Sequence, residues 1–175
     1  MSACADLVDT AARIAAVSPS PRTFLLQLGV EAGGVRRGPR WLLDAGRGGR
    51  NRLPGGGFRG HIDDGTAGQA RHFAGIVAVA TRIGPALTRW LSIHLGRDAP
   101  DTADGRLTDH ALDFVRRTLD GRLSPSEAPA WIRMHLCDEA VTRAASRDSR
   151  PRPSLYCVVP ARRGEHNERI SKEAH

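Results

Sequence analysis

TAGQARHFAGIVAVATRIGPALTRWLSIHLG, residues 66–96, decides how this chain folds. Its centre, residues 73–80 (FAGIVAVA), has no polar face. A helix that is apolar all round belongs inside a core. Thr66 and Gln69 stand at capping-box spacing, which predicts that the helix opens at Thr66. Gly84-Pro85 then breaks it, because proline offers no N–H to the preceding turn and its ring crowds that turn. A second helix is predicted from Pro85 to about Leu95, with Leu87, Trp90, Leu91 and His94 on one stripe.

Downstream, residues 96–106 read as a solvated acidic loop. Its run Asp98-Ala-Pro-Asp101-Thr-Ala-Asp104-Gly105 fails as a calcium loop. Aligned on Gly105, positions 1 and 12 are Pro100 and Ala111, neither of which supplies a carboxylate. Thr108 has the chemistry of an N-cap, with Leu107 and Leu112 as a hydrophobic staple. A third helix from there buries Leu112, Val115 and Leu119 and stops at Gly121. A fourth opens in Ser124-Pro-Ser-Glu127; Ser126 as N-cap leaves Pro129 in the tolerated first turn. It is predicted to run to about Ala145, burying Trp131, Met134, Cys137 and Val141.

Upstream, residues 3–17 form an amphipathic helix with Leu7, Ala11, Ile14 and Ala15 on one face, ended by Ser18-Pro-Ser-Pro21. Residues 23–30 (TFLLQLGV) fit a buried strand or a helical turn equally well. Residues 33–60 are rich in Gly and Arg, with little to bury, and are expected to be a mobile linker. The expected fold is mainly α: a small helical bundle over 61–145 with disordered basic flanks. An N-terminal helix and Gly/Arg-rich linker occupy 1–60. An Arg/Pro-rich tail occupies 146–175, with Tyr156-Cys-Val-Val159 as its one apolar patch.

The net charge of +7 sits in those flanks. Residues 1–60 hold nine Arg against four acids, residues 61–145 ten against eleven, and residues 146–175 seven basic residues against four acids. The same Arg, Ala and Gly excess also arises from a GC-rich genome without any selection for binding. Three cysteines (Cys4, Cys137 and Cys157), odd in number and widely spaced, are read as excluding a disulfide framework and giving no zinc signature. Cys137 reads as a small core residue of the fourth helix. The longest apolar run is far short of the roughly 20 residues of a membrane span, and Asp6 and Asp9 argue against a leader. A soluble, cytoplasmic protein with no membrane partner is expected.

Two sets of residues carry chemistry. Arg47, Arg50, Arg52, Arg59, Phe58 and Trp41 lie in RGG-like surroundings, where guanidinium groups contact phosphates and aromatic rings stack on bases. They support the leading expectation: a non-enzymatic interaction protein whose Arg-rich flanks engage nucleic acid or an acidic protein surface. The second set is His61, Asp63, Asp64, Arg71 and His72. His72, with Asp63 or Asp64 and Arg71, has the makings of an acid/base site, and His61 those of a metal ligand. That set supports the alternative, a small hydrolase at the start of the central helix, metal-assisted or not. Plain structural roles compete with it: the aspartates suit a helix entry, Gln69 suits a cap, and Arg71 can pair with either carboxylate. His94 on an apolar stripe reads as a boundary residue, and His135 as an ion-pair partner of Asp138 or Glu139. GxGxxG, Walker A, GxSxG, HExxH and CxxC patterns are absent, so the sequence names no cofactor.

Overall fold

The computed structural model describes residues 2–96, 98–141 and 143, and these are mainly helical. The expectations for 146–175 lie outside the described residues. Ala3–Val17 is α1, capped by the Ser2 hydroxyl, with Leu7, Ala11 and Ile14 buried as their spacing requires. Ser20 caps α2, Pro21–Glu31, and Pro21 enters at a position where no N–H is needed. The open choice for residues 23–30 therefore resolves to helix.

The linker expectation fails. Residues 33–60 contain α3, Trp41–Gly46, and contribute buried Val35 and Phe58 and half-buried Leu53 to the core. Composition counts apolar residues along the chain. It does not register that Gly33 and Gly49 let backbone meet backbone, leaving no room for a Cβ at either. One hydrophobic cluster runs from Ala3 to Cys137, so the core takes in α1 and α2 and does not begin near His61.

The central helix, α4, is Gln69–Ile83. Its N-cap is Gly68, with no side-chain cap, so the capping box expected from Thr66 does not form. Thr66 and Gln69 bond to Asp64 instead. Gly84 ends the helix at φ 89°, and Pro85 opens α5, Pro85–Leu91. A π-helical turn, Ser92–Gly96, continues α5. Its stripe faces outward: Leu87 is 49% and Trp90 52% exposed, with His94 stacked on Trp90 at 4.5 Å.

Helix α6, Ala103–Leu119, starts six residues before the expected position, because Thr102 and not Thr108 is the cap that accepts from a first-turn N–H. Thr108 is thereby drawn into the buried side of α6. Helix α7 is Ala128–His135, shorter than expected. Ser124 N–H and hydroxyl both donate to Glu127, and Met134 is 63% exposed.

Helix α4 packs against both α2 and α6, while α1 packs on α7. Gly29 of α2 sits directly on Ala74 and Ala78 of α4, so the small residues of the central helix serve close helix packing. Phe114 of α6 joins the layers, with ring centroids 6.3 Å from Phe24, 5.5 Å from Phe73 and 5.1 Å from Trp131.

Two cysteine expectations are overturned. Cys137 lies beyond α7, in an isolated bridge with Phe58, and is bonded to Cys4 through a disulfide. The partners are 133 residues apart, and only the packing of α1 on α7 brings them together. No spacing rule reaches that far.

Among the described residues, no helix is long and apolar enough to cross a membrane.

Candidate functional site

The chemistry of the sequence gathers on one flank of α4. His72 lies at the end of its first turn, and its Nε2 is 2.8 Å from the Thr108 hydroxyl and 3.6 Å from Asp98 Oδ2. The π-helical turn explains how Asp98 arrives there. Its wider winding leaves the Ser92 carbonyl to accept the Asp98 N–H at 3.1 Å, which folds the chain back. Asp98 is only 7% exposed, and its Oδ2 accepts from Ser92 Oγ (2.6 Å) and Thr108 Oγ1 (3.2 Å). Because the Thr108 hydroxyl donates to Asp98, it accepts from His72, which places a proton on Nε2.

Asp104, in the first turn of α6, completes the group. One ligand atom each from His72, Asp98 and Asp104 lies within 4.8 Å of the others. They open onto a cavity of about 290 Å³ that Arg71 also lines, with Val35, Gly48, Ile76 and Val79 among its walls. Burial raises the Asp104 carboxyl above its ordinary range; Asp64 and Asp98 add to the rise, while His72 and Arg71 oppose it. The buried Arg71 Nε has no hydrogen-bond partner among the described residues.

The remaining expected residues are placed elsewhere. Asp63 Oδ1 accepts the Gly65 N–H at 2.9 Å, a turn contact. Asp64 Oδ1 takes the Thr66 N–H, the Thr66 hydroxyl and the Gln69 amide. Burial alone would raise its carboxyl, but these hydrogen bonds hold it below the ordinary value. His61 is not brought to His72. It shares a cavity of about 250 Å³ with Arg106, Asp109 and His110, its ring 6.0 Å from that of His110.

Of the residues expected to meet nucleic acid, Phe58 is 3% exposed in the core, so it offers no ring to a base. The Arg59 guanidinium donates to the Met134 carbonyl at 2.7 Å, and Arg82 lies 5.1 Å over the Trp41 ring. Arg47, Arg50 and Arg52 are exposed. Sequence reasoning found His72 and Arg71 but missed Asp98, Asp104, Ser92 and Thr108. The usable signal was Thr102: taken as the N-cap of α6, it sets Asp104 in a first turn instead of a loop.

His110 and its neighbours form a separate titrating patch. Burial lowers both His110 and His135, and His61 and His135 lower His110 further against Asp113 and Asp109. A histidine lowered in the fold binds its proton more weakly than in the unfolded chain. The stability it lends is full above the unfolded value of 6.5 and drains as pH falls from there toward the lowered value. The urea midpoint is expected to drop as pH falls below 6.5, and the slope to flatten in His110→Gln. An identical slope in the variant contradicts the assignment.

Comparison with protein-family models, with curated proteins and with solved structures returns no match to this chain.

Proposed function

We propose that the chain is a small metal-assisted hydrolase whose reaction centre is the His72–Asp98–Asp104 cavity. One observation carries this reading: an imidazole and two carboxylates, drawn from α4, the segment after the π-helical turn and α6, converge within 4.8 Å. Two carboxylates in a partly desolvated cavity repel each other, and a dication balances them. Imidazole with carboxylates suits Zn²⁺, Mn²⁺ or Fe²⁺, and three protein ligands leave positions for water and substrate. A dication held by these residues would make a water molecule acidic enough to act as a nucleophile near neutral pH. Ser92 and Thr108 orient Asp98 and His72 through their hydroxyls, the role played by outer partners of metal ligands.

This reading takes over the hydrolase expectation but changes its carboxylates from Asp63 and Asp64 to Asp98 and Asp104, and no longer uses His61. It is preferred to binding through the Arg-rich flanks because Phe58 is buried in the core and the half-buried Trp41 ring is covered by Arg82. The Cys4–Cys137 bond supports an oxidising compartment over the cytoplasm.

The test is titration of chelator-treated protein with Mn²⁺, followed by electron paramagnetic resonance. One ion per chain is expected, with affinity weakened about 100-fold or more in His72→Gln and about 10-fold in Thr108→Val. Wild-type protein that binds no Mn²⁺ up to about 1 mM, or binds it unaltered in His72→Gln, sinks the proposal.

A further inference from the structure

We infer that the substrate is a small phosphate monoester, its phosphoryl group held by Arg71 in the cavity that His72, Asp98 and Asp104 also line. The inference rests on the metal reading above and goes beyond it in naming what the cavity takes. Arg71 and the three ligand residues line the same cavity, yet among the described residues the Arg71 guanidinium makes no hydrogen bond or ion pair. A guanidinium beside carboxylates normally closes onto one of them. This one keeps its donors free, and a planar fork of donors matches two oxygens of a phosphoryl group.

Glycines leave room for that fork. Gly48 and Gly68 flank it, and a Cβ at Gly68 would crowd an Arg71 Nη at 3.3 Å. Charge points the same way. Two carboxylates against one dication and Arg71 leave the loaded cavity with a net positive charge, which favours an anion. Size limits the choice: about 290 Å³ lies at the lower end of ligand cavities, and Val35, Ile76 and Val79 give the remainder an apolar wall. A phosphoryl group with a short organic leaving group fits that description, whereas a polynucleotide does not.

The reaction is hydrolysis. The oxygen of a water molecule forms a bond to phosphorus, the bond from phosphorus to the ester oxygen breaks, and the proton given up by the water ends on the departing oxygen. The products are an alcohol and inorganic phosphate, and no oxidant or other co-reactant is consumed.

The experiment is calorimetric titration of the Mn²⁺-loaded full chain with inorganic phosphate, alongside turnover of p-nitrophenyl phosphate and p-nitrophenyl acetate. Phosphate is expected to bind, and Arg71→Gln to weaken it about 10- to 100-fold while Mn²⁺ affinity is retained. Arg71→Lys, which keeps the charge without the fork, is expected to fall between them and serves if the glutamine variant does not fold. Mn²⁺ binding without phosphate binding overturns this inference and leaves the metal reading standing. So does phosphate affinity unaltered in the Arg71 variants, or turnover of the acetate alone. Absence of Mn²⁺ binding in the wild type sinks the metal reading, and this inference with it.

Discussion

The double variant Cys4→Ala/Cys137→Ala is expected to lose about 4–5 kcal/mol of folding stability. The bond closes a loop across a sequence separation of 133, spanning nearly all the described chain. In the chain-entropy account, a cross-link constrains the unfolded ensemble more as the loop lengthens, reaching about 4.7 kcal/mol at 100 residues. Both cysteines are fully buried where α1 meets the segment beyond α7. Alanine, unlike serine, leaves no buried hydroxyl unsatisfied, so the loss reports the cross-link together with a small packing defect. A total stability of 5–15 kcal/mol is usual for a domain, so the variant is expected to be marginal or unfolded at 37 °C. Urea unfolding of the oxidised protein, the reduced protein and the variant measures the effect. A loss under about 1 kcal/mol would show that α1 is held by packing alone. Alkylation in denaturant without reductant adds a direct check: neither Cys4 nor Cys137 is expected to react.

What the sequence made legible was local. The face of α1, the break at Gly84-Pro85 and the stop at Gly121 follow from side-chain spacing and from backbone that only particular residues adopt, and all three are present. What it hid was contact at a distance. Thr108 looks like a cap because its neighbours Leu107 and Leu112 fit a staple. Both leucines are buried mid-helix, and the cap is Thr102, six residues earlier. Residues 33–60 look unfoldable by composition, yet their glycines permit the backbone approaches that bury them. His72 was visible as a polar residue on an apolar helix. Its partners Asp98 and Asp104 stand in a run that fails as a calcium loop, and rejecting that motif left both carboxylates as parts of a solvated acidic loop. They reach His72 only because α4, the π-helical turn and α6 fold the chain back on itself.

Asp104→Asn is expected to change stability in opposite directions with and without a divalent cation. In the cation-free protein the Asp104 carboxylate bears an electrostatic cost: burial disfavours its charge, and Asp98 and Asp64 repel it, only partly offset by His72 and Arg71. A carboxyl raised in the fold takes up a proton more readily than in the unfolded chain. Its charged form therefore opposes folding once pH exceeds its ordinary value of 3.8, and that opposition is complete above the raised value. Asparagine keeps the shape and removes the charge, so the chelator-treated variant is expected to melt at or slightly above the wild-type temperature at pH 7. Cation reverses the order. Mn²⁺ at 100 times its dissociation constant should stabilise the wild type by about 2.7 kcal/mol, since it binds the folded state and not the unfolded one. The variant, lacking one of three protein ligands, should gain almost nothing at that concentration. Differential scanning calorimetry of both proteins, with chelator and with Mn²⁺, reads out the crossing. If Asp104 served only to shape the start of α6, the variant would be displaced equally in both conditions. The crossing itself therefore separates a carboxylate kept for a ligand from one kept for the fold.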